Sequence, residues 1–248
     1  MSQTEILRTS TIEAQEEFGV TLQIALVGTD GIVLASDRRH IEVRNAFAVG
    51  HWQQRYSQPY ADTKMLWDAG RHVACTWAGS SDAKKIAQKI FLEGDPRGLS
   101  DEEWSARIQR IGDSVPSLDT SDIDEVIVLR AADCHSAIKY MRQGLRSASP
   151  QRIKQQMIAG DVTQPCSFLA RHLWRENMTM GKLIHLAILT IGYGAAENPN
   201  GIGDGVDVLT LNHQGRFFFK TVEQSQVEEI RERFDAEMLQ LFEKVSEL

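Results

Sequence analysis

The feature that most constrains this chain is a unit of strand, tight turn and strand that recurs on either side of helical blocks. The first copy runs from Thr21 to Val27, turns through Gly28 to Gly31 and returns from Ile32 to Ser36, with Asp30 and Gly31 as the turn signal. A second runs from Lys64 to Trp67 and returns from His72 to Trp77. A third pairs Glu125 to Leu129 with His135 to Tyr140, and a fourth pairs Val206 to Leu211 with Arg216 to Phe219. After the second unit, Ser80 to Asp82 cap a helix from Ala83 to Phe91, and Ser100 opens another through Ile111. After the third, helices span Ser167 to Arg175 and Thr179 to Tyr193, and a charged amphipathic helix begins at about Gln224. The segment from Arg44 to Ala61 reads as an irregular loop. Hairpin pairs separated by helix pairs predict two mostly antiparallel sheets covered by helices, a four-layer α/β/β/α sandwich.

Size and composition narrow the function. The chain has 248 residues, enough for one substantial core, and its 27 Lys+Arg against 34 Asp+Glu give a net charge of −7. The cations are scattered rather than clustered, so no nucleic-acid partner is expected. No apolar run reaches the roughly 18 residues of a membrane span, and Leu183 to Ile191 reads as a buried helix. The acidic stretch from Met1 to Glu17 has no apolar core of a secretory signal. Cys75, Cys134 and Cys166 are odd in number and widely spaced, which fits a reducing cytoplasm. Seven histidines show no metal-ligand spacing, and the glycines at 192–194 and 201–205 lack the strand, helix and Lys-Ser/Thr of a phosphate loop. No metal or cofactor is therefore expected.

The first hairpin gathers reactive groups. Centred near Thr29, it sets Thr21 across from Asp37 to within one residue of register, with Asp37 and Arg39 on one face and Arg38 on the other. A threonine beside a carboxylate and a cation is an ordinary surface cluster in most proteins, and in a few it is a nucleophile with its partners.

The segment GTDGIVLASDRR, Gly28 to Arg39, resembles the opening hairpin of proteasome β-type subunits, the threonine-peptidase branch of the Ntn hydrolases. Counted back from Arg39, Thr21 matches that family's N-terminal threonine, and Asp37 matches its catalytic aspartate. DTKML, from Asp62, resembles its lysine segment and makes Lys64 the matching residue. TWAGSSDA, from Thr76, resembles its Ala-Gly turn into the first long helix, where Gly79 supplies an oxyanion-hole N–H. GDGVDVL, from Gly203, resembles its penultimate strand. The resemblance implies an Ntn hydrolase sandwich over residues 21–248, preceded by an extension or propeptide over residues 1–20. It also implies peptide or unfolded protein as substrate and a ring of like subunits as the assembly.

The implied chemistry follows from pKa. A threonine hydroxyl needs a base at neutral pH, and an N-terminal threonine carries one in its α-amine, of reference pKa about 7.7–8.0. Lys64 would depress that amine's pKa, and Asp37 would hold the lysine. Trp77 would point toward the specificity pocket, restricting it to small side chains, or would serve as a core tryptophan. His40 would line the same pocket or sit solvated in a loop. His185, on the apolar helix, is expected to be a satisfied core residue, and Cys75 a buried inert thiol.

The sequence also departs from the family. Val20 stands directly before Thr21, where the family usually has glycine, and a β-branched residue crowds attack on its own carbonyl. Thr163 is the available hydroxyl near the turn before the third helix. A non-catalytic structural subunit that keeps its extension is the alternative reading.

Overall fold

The computed structural model describes residues 15–16, 21–45, 53–58, 63–117, 123–131, 135–160, 162 and 164–246. One five-stranded sheet has the order β11-β2-β3-β12-β13, formed by Gln156–Gly160, Leu22–Val27, Gly31–Asp37, Val206–Asn212 and Phe217–Val222. The other has the order β10-β9-β8-β7-β6, formed by Arg146–Ile153, Ser136–Gln143, Ile123–Arg130, Val73–Ala78 and Met65–Asp68. Every pairing in both sheets is antiparallel.

Three apolar clusters separate four layers. In β2, Leu22, Ile24 and Leu26 pack with α3 (Gln164–Leu173) and α4 (Met180–Glu197), whereas Ala25 joins Leu34, Ile127 and Leu129 between the sheets. In β8, Val126 and Val128 pack toward α1 (Ser81–Glu93) and α2 (Asp101–Asp113). Strands buried on both faces need apolar residues at nearly every position, which is why β2, β3 and β8 read as continuous apolar runs. The α/β/β/α sandwich expected from the sequence is therefore the observed architecture.

Helix starts are fixed locally. The Ser80 hydroxyl accepts from the Asp82 amide at 3.1 Å, capping α1. Ser100 and Glu103 form a reciprocal capping box at the start of α2. Within the second layer pair, the Arg142 guanidinium is buried and binds Asp124 at 3.1 Å and the Val115 carbonyl at 2.6 Å.

Three parts of the sequence reading need correction. The segment 44–61, expected to be an irregular loop, holds the last two residues of β4 (His40–Asn45) and all of β5 (Gln53–Gln58), which form an antiparallel hairpin, and Gln15–Glu16, β1, adds to β4 opposite Arg44 and Val43. β10 and β11 occupy a stretch to which the sequence reading gave no element. His185 is exposed rather than in the core, with Nδ1 2.8 Å from the Gly181 carbonyl, because it sits on the outward side of α4. Cys75 and Cys166 are buried, the Cys166 thiol donating to the Thr190 carbonyl at 3.3 Å, and burial pushes the Cys75 thiol far above its usual value. Cys134 lies outside the described residues. Among the described residues, no helix is long and apolar enough to cross a membrane.

Candidate active site

The start of β2, the end of β3 and the start of β6 meet at one end of the sandwich. The β2–β3 register pairs Gln23 with Ser36, so Leu22, not Thr21, stands opposite Asp37. The displacement is one residue, and its cause is the connection: the four residues 28–31 centre the hairpin between Thr29 and Asp30. The shift gives Asp37 a backbone donor, because the Leu22 amide donates to Asp37 Oδ1 at 2.8 Å.

Lys64 completes the cluster from the facing sheet. Its Nζ donates to Thr21 Oγ1 at 2.7 Å and to the Asp37 carboxylate at 3.1 and 3.2 Å. All three residues are buried, with exposures of 4% for Thr21, 0% for Asp37 and 2% for Lys64. The Arg39 amide adds a further donor to Asp37 Oδ2 at 3.1 Å. Thr76 of β7 accounts for the placement of the lysine, because its hydroxyl donates to the Lys64 carbonyl at 2.8 Å.

Burial sets the proton affinities. It pushes the Lys64 ammonium below the usual lysine value, against the opposing pull of Asp37. It pushes the Asp37 carboxyl above the usual range, against Lys64 and the amides of Leu22 and Arg39. Both shifts have one cause, the removal of the two charges from water, and the pairing of Lys64 with Asp37 opposes each of them.

Two glycines shape the surroundings. Gly160, at the end of β11 with φ +89°, lies against Thr21: a Cβ there would fall 1.8 Å from the Thr21 carbonyl oxygen. Its amide donates to Glu125 Oε2 at 2.5 Å, and Glu125 also pairs with Lys139. Gly79, with φ +119°, ends β7 next to the Ser80 cap, and a Cβ there would fall 2.5 Å from the Ile123 carbonyl oxygen.

Asp204 braces the same end. Arg39 holds it in a fork, with Nε and one terminal nitrogen 3.1 and 2.8 Å from its two oxygens, and the guanidinium keeps that carboxyl below its usual range. The amides of Arg38 and Arg39 both donate to the Gly203 carbonyl, at 3.0 and 3.1 Å.

Of the residues singled out in the sequence, the structure brings Thr21, Asp37 and Lys64 together. Gly79 stands at the strand end beside α1. Trp77 is 8% exposed and packs with Ala83 and Ile86 in the cluster beneath α1 and α2. His40 begins β4, but its side chain lies outside the described residues, as do Thr163 and Val20. Gly160, Glu125, Thr76 and Asp204 received no role in the sequence reading. Among the described residues, no group of three or more His, Cys, Asp or Glu is arranged to hold a metal.

Comparison with solved structures gives the fold. Anbu from Hyphomicrobium sp. strain MC1 superposes with a TM-score of 0.63 at 14% identity, over 90% of this chain and 97% of that one. A mutant of the same protein gives 0.63 at 13% identity, with the same coverage. A structure described as the helical assembly of the Anbu complex from Pseudomonas aeruginosa gives 0.62 at 13% identity, over 90% of this chain and 96% of that one. The fold is an Ntn-hydrolase-like sandwich. No protein-family model and no curated protein matches the sequence.

Proposed function

We propose that this chain is a proteasome-like threonine peptidase subunit whose nucleophile, Thr21, is exposed by cleavage after Val20. The observation that carries the reading is the 2.7 Å hydrogen bond from Lys64 Nζ to Thr21 Oγ1, with Asp37 bound to the same ammonium. While Thr21 is joined to Val20 its nitrogen is an amide and no base. Loss of residues 1–20 frees an α-amine beside Oγ, and the neighbouring Lys64 ammonium depresses its pKa.

In the reaction so proposed, Oγ attacks the carbonyl of a substrate peptide and its proton passes to the amine. The Gly79 N–H stabilises the tetrahedral oxyanion, a contribution of about 2.7–4 kcal/mol for such donors. Collapse of the intermediate breaks the peptide bond, the leaving amine takes up a proton, and an acyl ester remains on Thr21. Water then hydrolyses the ester. His40 is the proposed substrate-binding residue, and the packing of Trp77 beneath α1 and α2 favours its core role. No cofactor enters the scheme.

Like subunits are the proposed partners, supported by the assembly described for the Pseudomonas aeruginosa relative of the fold. The proposed location is a reducing cytoplasm, which the buried free thiol of Cys75 fits. A second reading, a structural subunit that retains its extension, is favoured by the pairing of Gln15–Glu16 with β4 and by Val20 before the scissile position. Intact-mass measurement of the purified protein separates the two. Loss of Met1 to Val20 supports the peptidase, and a retained extension in a stable assembly supports the scaffold.

A further inference from the structure

The last helix, α5 (Gln224–Ser246), is packed at its start and bare at its end. Val227 is 2% exposed, Phe234 meets Tyr193 edge to face at 6.4 Å between ring centres, and the Tyr193 hydroxyl binds Asp235. Beyond that anchor every residue from 236 to 246 is exposed. The apolar stripe does not stop there. Val227, Ile230, Phe234, Met238, Leu241 and Val245 recur every three or four residues along one face, flanked by Phe242. Exposures reach 47% for Met238, 55% for Leu241, 70% for Phe242 and 59% for Val245. A helix tip polar on all sides would need no partner, but this one continues the face that the first half buries.

Beside the packed half lies a groove of about 290 Å³ between α4, α5 and the helix-facing side of β12 and β13. Ile184, Ile188, Phe218 and Ile230 line it, and Phe218 is 55% exposed. Groove and tip are thus two apolar surfaces of one chain, joined by a single helix.

We propose that the tip of α5 seats in this groove on a second copy of the chain. The groove includes Ile230, and the tip begins eight residues later on the same stripe, about 12 Å along the helix at 1.5 Å per residue. One patch therefore carries both halves of the contact, the condition for a reciprocal two-fold pair in which each copy gives its tip and receives the other's. Charge agrees with that arrangement. Glu237 and Arg233 flank the stripe on one side, so an antiparallel crossing near residue 235 brings Glu237 of each copy to Arg233 of the other. Area agrees too. Met238, Leu241, Phe242, Val245 and Phe218 offer roughly 100 Å² each, so two copies bury about 1,000 Å², the least that a specific interface needs. The contact does not depend on the reactivity of Thr21.

Sedimentation of the full chain at tens of micromolar tests the proposal. The tip variant Leu241→Asp/Phe242→Asp and the groove variant Phe218→Asp alter positions that are already exposed, so each should keep the wild-type far-UV spectrum and unfolding transition. The wild type should sediment as a dimer or a multiple of it, and each variant at half that mass or less. An equimolar mixture of the two keeps one of the pair's two contacts, so it should associate no more strongly than the wild type. A monomeric wild type, or variants that keep the wild-type mass, overturns the proposal. If Phe218→Asp alters the unfolding transition, Glu237→Lys and Arg233→Glu replace the pair, each weakening association and their mixture or double variant restoring it.

Discussion

Lys64 Nζ lies 2.7 Å from Thr21 Oγ1 and 3.1 Å from Asp37 Oδ2, so a single buried ammonium joins the candidate nucleophile to a carboxylate. Removing one member of such a pair leaves the other charge buried without a partner, at a cost of about 3–5 kcal/mol. Lys64→Met should lower the unfolding free energy by about that amount in urea titrations. The double variant Lys64→Met/Asp37→Leu should recover most of the loss, because neither charge is then stranded.

Lys64→Arg separates stability from chemistry. A guanidinium keeps the charge and the ion pair but is a planar fork where the ammonium is a compact point charge. The variant should stay folded while the reactivity of Thr21 toward an acylating electrophile falls by about 100-fold across pH 6–9, because the fork misplaces Thr21 Oγ1. Rates measured against pH check this. Wild-type reactivity should rise through the pKa of the freed Thr21 α-amine, which the Lys64 ammonium holds below the reference value of about 7.7–8.0.

Gly160 is as demanding a position as any charged one. Its φ of +89° disfavours a side chain, and a Cβ would lie 1.8 Å from the Thr21 carbonyl oxygen. Gly160→Ala should cost more than about 2 kcal/mol and displace Thr21, abolishing its labelling. Gly181→Ala is the control: it lies in the first turn of α4 with nothing within 4 Å of the added Cβ. That change should leave labelling unchanged and raise stability by up to about 1 kcal/mol. Urea titration and labelling of both variants make the comparison.

Acid sensitivity should appear at Asp204. The Arg39 guanidinium lowers its carboxyl pKa in the folded state, so the unfolded chain binds this proton more readily. The stabilisation is complete above the unfolded value of 3.8 and disappears as pH falls through the lower folded value. The pair is partly solvated and should contribute no more than about 1 kcal/mol. The stability difference between wild type and Asp204→Asn, followed by denaturant titration from pH 6 to pH 2, should therefore shrink below about pH 4.

How much of this was legible in the sequence depended on the range of the signal. The strands with two buried faces declared themselves as apolar runs, and the motif around Lys64 placed the lysine near the first hairpin. The exact partner of Asp37 did not, because a half-residue error in the hairpin centre moves every pair by one. β10 reads RSASPQRI and has one buried residue, and β5 reads QQRYSQ, so no two-residue apolar alternation marks them, whereas β4 does alternate, but only over Ile41 and Val43. Gly160 enters the site only through β11. Asp204 enters only through the fork with Arg39, across 165 positions of sequence. His185 shows the opposite error: an apolar helix hid one outward-facing position.

The central claim is that Thr21 acts as a nucleophile. Its most direct test is mass spectrometry of the protein after treatment with a threonine-directed electrophile, read beside Thr21→Ala. The expected result is a chain lacking residues 1–20 that carries one adduct on Thr21, and no adduct on the variant. Equal labelling of both proteins, or an unlabelled wild type that keeps Met1 to Val20 in a folded assembly, would contradict it.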